Sequence, residues 1–294
     1  MQIDIRPGKY VVAVSGGVDS MVLLDLLRRL PGLELTIAHF DHGVRPDSAA
    51  DRRLVQDTAE HYSLPFVYEE VKLGLGVSED VARQARYGFL RELQKKIDAQ
   101  AIITAHHQDD MLETALINML RGTGRKGLSS LQSRPGMLRP LLNYPKNDLL
   151  NYARQNGIVW HEDSTNQDDN YLRNKVRQIL MPRLGQDGRS KLKSYIDHAA
   201  DLNQEIGILL NELLAMQADP NCVSRGFFIQ LPYKIACEYM AQWLRTKNVE
   251  FDKRTIDRLV VFCMTAKPGK QADAGNGGKL VAAAKDILFQ ESRI

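Results

Sequence analysis

Residues 15–20 read SGGVDS, between KYVVAV (9–14) and MVLLDLLRRL (21–30). The upstream run is β-branched and short enough to be a buried strand. Downstream, Val22, Leu23, Leu26, Leu27 and Leu30 recur at helical spacing until Pro31-Gly32 stops them. A strand, a glycine pair and a helix N-terminus make an anion site, because unpaired N–H groups and the positive dipole end face the ligand. The lysine of a Walker A loop is missing. A tight strand-to-helix turn would use the same glycines, and Asp19 alone could be an ordinary first-turn acid. Beside a polyphosphate, however, Asp19 is repulsive unless a divalent cation bridges the two. Magnesium takes oxygen from one or two carboxylates and from phosphates. The loop therefore points to Mg2+ with ATP or pyrophosphate, held by Ser15, Gly16, Gly17, Val18, Asp19 and Ser20.

Working outward, LELTIAHF (33–40), PFVYEEV (65–71) and AQAIITAH (99–106) read as further strands. Helical patterns cover residues 19–30, 47–62, 78–97 and about 108–121, with Ser78 a plausible N-cap. This alternation predicts an α/β fold, a doubly wound parallel sheet with helices on both faces. SGGVDS, HFDHGVR (39–45) and AHHQDD (105–110) all fall at the carboxyl ends of strands, where such sheets bind ligands. Beyond RGTGRKGLSSLQSRPG (121–136), a long loop, the pattern predicts helices over 143–157, with Pro145 at the first helical position and Gly157 past its end, and over 189–217. ADPNC (218–222) is the expected boundary between a catalytic domain (1–217) and a small, mainly α-helical domain (218–294). That second part reads as helices over 232–247 and 252–266 and a terminal hairpin.

The chain has 294 residues and a net charge of +3, but the charge is uneven. Of 39 Lys/Arg and 36 Asp/Glu, 14 and 7 fall in residues 121–200, leaving 25 and 29 elsewhere. One basic third in a near-neutral chain suits a polyanion, though a solvated basic surface would look the same. Three scattered cysteines with no CxxC pair argue against a disulfide framework or a zinc site and fit a reducing compartment. Neither a signal peptide nor a membrane span is expected, since no apolar run approaches the length needed.

SGGVDS after a strand resembles the PP-loop of the N-type ATP pyrophosphatases, which cleave ATP between its α- and β-phosphates. HFDHGVR (39–45), ARQARYGFL (82–90), AHHQDDMLET (105–114), RGTGRKGLSSL (121–131), LRPLL (138–142) and EDSTNQDDNYLRNKVR (162–177) together resemble tRNA(Ile)-lysidine synthetase. The likeness spans about residues 9 to 184 and is closest to short members with one small C-terminal domain. It implies a bacterial cytoplasmic ligase acting on tRNA(Ile) with a CAU anticodon, with free L-lysine and ATP as co-substrates. A homodimer and no membrane contact would be compatible with it.

On a helix beginning near Gln108, Asp110, Glu113 and Thr114 share a face. Two carboxylates there could nest the ammonium of lysine and take its proton, whose ordinary pKa is about 10.4. The resemblance adds His106 as a group near the cytosine or the leaving AMP; His107 has no assigned role. Arg86 could steady developing negative charge. Arg173 and Arg177, at i and i+4, suit RNA phosphate or the lysine carboxylate, with the lysine role favoured for Arg177. Asp41 and Arg45 are candidate lysine or nucleotide contacts, and Arg121, Arg125 and Lys126 candidate tRNA contacts. A tRNA thiolase is the nearest rival, but it needs cysteines and these lie outside every motif. An amidotransferase lacks its usual N-terminal nucleophile here. A non-catalytic RNA binder would have no use for Asp19, Asp110 and Glu113 together.

Overall fold

The structure, a computed structural model, describes residues 1–41, 48–71, 79–162, 171–275 and 278–291. It divides into two compact units, Met1–Ala200 and Asp201–Ile294, with the division inside a long helix.

In the first unit β1 (Gly8–Ala13), β2 (Leu33–Asp41), β3 (Phe66–Glu70), β4 (Ala101–Ile103) and β5 (Met137–Leu138) form one parallel sheet in the order β3-β2-β1-β4-β5. The first four strands lie where the apolar runs predict them. β5 was not expected: two residues inside a Gly- and Arg-rich stretch carry no period of their own, and pairing with β4 makes them a strand. Alternate residues of β1 feed opposite cores. Tyr10 and Val12 pack with α1 (Val18–Arg28), α2 (Ser48–His61) and Leu149 and Ala153 of α6 (Lys146–Gln155). Val11 packs with Tyr87, Phe89, Leu90 and Leu93 of α3 (Glu79–Lys96). Burial on both faces is why these strands are continuously apolar.

The strand order reverses between β1 and β4, so their carboxyl ends open a crevice at the switch point. α4 (Gln108–Leu120) leaves β4 there, followed by the single turn α5 (Arg125–Leu128). Met111, Leu112 and Ala115 of α4 form a third core with Leu172 of α7 (Tyr171–Lys175), Val176 of a π-helical turn (Val176–Leu180), and Met181, Leu192 and Ile196 of α8 (Met181–Ala215). Pro145 is the N-cap of α6 rather than its first helical residue. Ser78 lies outside the described residues.

The second unit holds more strand than the sequence reading gave it. β6 (Cys222–Ser224), β7 (Gln271–Gly275), β8 (Gly278–Ala282) and β9 (Asp286–Glu291) form an antiparallel sheet ordered β6-β9-β8-β7. The predicted hairpin is β8–β9; β7 and β6 pair onto its two edges. With α9 (Arg225–Gln230), α10 (Tyr233–Thr246) and α11 (Lys253–Thr265), they enclose a core around Trp243, Tyr239 and Phe228. ADPNC (218–222) is the turn between α8 and β6.

Candidate active site at the sheet switch point

The loop after β1 is built as its glycines suggest. Gly16 has φ +93°, a conformation that side chains rarely adopt. Ser20 ties the loop down: its hydroxyl donates to the Gly17 carbonyl at 2.9 Å and accepts the Ser15 N–H at 3.1 Å. No side chain caps Gly17 at the start of α1, so that terminus keeps its donors for a ligand. Behind the loop, His161 N donates to the Gly16 carbonyl at 3.1 Å, while its ring Nδ1 lies 2.8 Å from Asp51 Oδ1.

Asp19 projects from the first turn of α1, and Lys146 Nζ donates to both its carboxylate oxygens, at 2.7 and 2.8 Å. Sequence reasoning missed Lys146. Its only local signal was its place directly after Pro145 at a helix start. Packing delivers it: α6 lies on α1, where Tyr152 donates to the buried Asp25 at 2.8 Å, and this sets the α6 N-terminus over that of α1. α4 converges on the same point. Asp109 Oδ2 accepts the Lys146 N–H at 2.8 Å, and Asp109 Oδ1 meets Arg189 Nη1 at 2.6 Å. Three helix N-termini therefore converge at the switch point, each with an acid in its first turn: Asp19 in α1, Asp109 and Asp110 in α4, and Asp148 in α6.

His107, the N-cap of α4, sits among these acids. Its ring nitrogens lie 3.7 Å from Asp19, 3.8 Å from Asp109 and 3.5 Å from Asp110. Its backbone N–H donates to Asp110 Oδ2 at 3.0 Å. The adjacent His106 faces a different field. Thr104 Oγ1 holds its Nδ1 at 2.9 Å, and burial pushes its pKa down to about 3, with Arg139, Arg83 and Arg86 adding to the effect. At neutral pH His106 is an uncharged ring that can polarise a partner but holds no proton to give as an imidazolium.

Glu113 and Arg177 are brought together. The guanidinium donates from Nε at 2.8 Å and from Nη2 at 2.9 Å to the two oxygens of the buried Glu113 carboxylate. Arg177 reaches it from the π-helical turn between α7 and α8. The sequence reading gave Arg177 to a lysine carboxylate or to RNA; here its fork is filled by Glu113. Asp110 and Glu113 thus share α4 but have separate partners. Asp41 is buried at the end of β2, and Arg86 lies over the Tyr87 ring, 5.5 Å from its centroid. Arg121, Arg125 and Lys126 lie at the far end of α4 and on α5, and Arg173 on α7, so the set is spread over two segments. Arg45 lies outside the described residues. All three cysteines belong to the second unit.

The PP-loop domain family matches residues 2–184, the stretch that carries the sheet, the glycine loop and the α4 acids. The chain belongs to the PP-loop family. Among curated proteins, it is 34% identical over 245 residues to the tRNA(Ile)-lysidine synthase of Nitrosomonas europaea, covering 78% of this chain and 52% of that protein. It is 38% identical over 206 residues to the tRNA(Ile)-lysidine synthase of Thermus thermophilus, covering 68% and 40%. The chain thus matches about half the length of these curated relatives. A solved U34-tRNA thiolase from Methanococcus maripaludis has the same fold, with a TM-score of 0.56 at 15% identity over 67% of this chain and 73% of that one.

Proposed function

We propose that this PP-loop protein is a tRNA(Ile)-lysidine synthase. In this reading ATP adenylates the C2 oxygen of the wobble cytidine, C34, of tRNA(Ile) bearing a CAU anticodon, releasing pyrophosphate. The ε-amino group of free L-lysine then attacks C2 and displaces AMP. The observation that carries the proposal is the crevice between β1 and β4. It joins a glycine loop for polyphosphate to the α4 acids that an amine nucleophile requires, in a chain whose relatives bear that name.

The roles follow from surroundings. Ser15 to Ser20 and the α1 N-terminus receive the β- and γ-phosphates. Lys146 neutralises Asp19 and adds a cation beside them. Asp19, at the α1 N-terminus, together with phosphate oxygens would hold a magnesium ion, which takes one or two carboxylates and substrate phosphates. Such an ion would supply charge neutralisation for the departing pyrophosphate. Asp110 is the carboxylate best placed to take the ammonium proton, because its Oδ1 has no hydrogen bond among the described residues. Glu113 shapes the nest through Arg177. Neutral His106 polarises the base, and Arg86 steadies charge on the adenylate. Arg121, Arg125, Lys126 and Arg173 meet RNA phosphates. No helix of the described residues is long and apolar enough to cross a membrane. The lysidine reading makes the protein a bacterial cytoplasmic enzyme. The reading is compatible with a homodimer.

Mass spectrometry of the wobble nucleoside after incubation with Mg·ATP, lysine and tRNA(Ile) tests this. Lysidine with AMP and pyrophosphate is the expected result; ADP, or an unmodified C34, rejects it.

A further inference from the structure

Arg139 follows β5 directly and is 6% exposed. Its Nη1 donates to the Gln132 carbonyl, and its Nη2 lies 3.2 Å from the Met137 thioether, a weak acceptor. Its Nε is buried without a well-aligned hydrogen-bond partner, and so is the hydroxyl of Tyr87, which lies near enough to the guanidinium to stabilise its charge. No carboxylate pairs with this guanidinium among the described residues. The contrast with other buried charges in the unit is sharp. Asp25 has Arg28 and Arg29, and Glu113 has Arg177. Burying a charge without a counter-ion is costly, so an orphaned buried cation calls for an anion. The field around it has the same sign. Arg83 and Arg86 stand over the Tyr87 ring, 5.2 and 5.5 Å from its centroid.

The location is the substrate edge of the sheet. β5 pairs with β4, Thr104 N donates to the Leu138 carbonyl at 3.0 Å, and Thr104 Oγ1 holds His106. Arg139 therefore ends the strand next to the one that carries His106, on the far side of β4 from the phosphate loop. The polyphosphate already has that loop and Lys146. The Arg177 fork is taken by Glu113. What Arg139 offers is the planar Nε–Nη2 edge, which matches a carboxylate bidentately.

We propose that Arg139 and Tyr87 form a carboxylate subsite that holds the α-carboxylate of the amino-acid substrate, an inference that rests on the lysidine reading. The carboxyl end of lysine is then fixed beyond β4, and its amines are left to the acids of α4.

The test compares lysine with lysinamide, which keeps the ε-amine but lacks the carboxylate, in wild type, Arg139→Met and Tyr87→Phe. Loss of a charge-assisted fork should raise the lysine KM about tenfold or more in Arg139→Met. Tyr87→Phe should raise it by a smaller factor. KM for lysinamide and for ATP should stay near wild type, so that the preference for lysine collapses. Equal losses for lysine and the amide would mean a structural role and overturn the subsite. A raised ATP KM with an unchanged lysine KM would assign the cation to a nucleotide phosphate and overturn it too. If Arg139→Met does not fold, Tyr87→Phe, which keeps the ring, decides by the same ratio. Wild type with no lysine-dependent product rejects the lysidine reading and the subsite together; wild-type turnover with unchanged variant ratios rejects the subsite alone.

Discussion

Asp19 makes its strongest contacts not with the loop that contains it but with Lys146, 127 residues away in sequence. If this pair serves polyphosphate, Lys146→Met should raise the ATP KM severalfold. Its melting temperature should move little, because both side chains are partly exposed and such pairs contribute only about 0–1 kcal/mol to stability. A large fall in melting temperature with unchanged ATP dependence would make the pair a structural strut. The Glu113–Arg177 pair should behave in the opposite way. Glu113 is 5% exposed and Arg177 38%, so the two ends are not equivalent. Arg177→Met strands a buried carboxylate and should cost about 3 kcal/mol, whereas Glu113→Gln leaves a guanidinium that water can reach and should cost less. Urea denaturation of the two variants checks the order. His106 adds a pH signature. The fold keeps the ring neutral down to about 3, while the unfolded chain protonates it near 6.5. Below 6.5 the unfolded state binds more protons, so stability should fall progressively from about 6.5 towards about 3. His106→Gln should flatten that limb of a stability–pH curve; an unchanged slope would show that the ring titrates normally. That His106 is a site candidate was legible from its strand-end position. That it is held neutral was not, because its burial, and the arginines of α3 and beyond β5 that add to it, come from the packing of distant segments.

Among the elements, α4 carries the most chemistry per turn. Asp109 and Asp110 fall in its first turn, where the helix dipole favours them, Glu113 follows one turn on, and Asp109 also accepts the first N–H of α6. Strand and helix periodicity placed α1 to α4 and β1 to β4 within a few residues, because each buries a face long enough to impose a period. β5 and β6 are two and three residues long and carry no such pattern. They exist because a neighbouring strand offers a ladder. The basic end of α4 and the α5 turn suggest a test at this scale. Arg121 and Lys126 are exposed there, and if they touch only RNA phosphate, Arg121→Gln and Lys126→Gln should each lower the log–log salt slope of tRNA binding by about one unit. ATP binding should not change. A slope equal to wild type in both variants would remove this segment from the RNA face.

Across the whole molecule, two units with separate cores each contain one of the two tryptophans: Trp160 packs against the sheet core and Trp243 is buried in the second core. Trp160→Phe and Trp243→Phe variants, followed by fluorescence in denaturant, should therefore report different midpoints. Coincident midpoints would mean that the units unfold as one. At this scale the sequence by itself determined a good deal. The fold class followed from alternating strand and helix periods, the glycine turn between β1 and α1 from its residues, and the sheet edge that carries the candidate site from strand polarity, because all three are properties of neighbouring residues. The partners of the site residues were decided only by tertiary structure. Lys146 reaches Asp19 through the packing of α6 on α1, Arg177 reaches Glu113 from a π-helical turn, and Arg139 is left buried without a carboxylate beside Tyr87. Such pairings join residues tens of positions or more apart. Charge and burial, which set their chemistry, are fixed by what the folded chain brings near, and no local pattern encodes that.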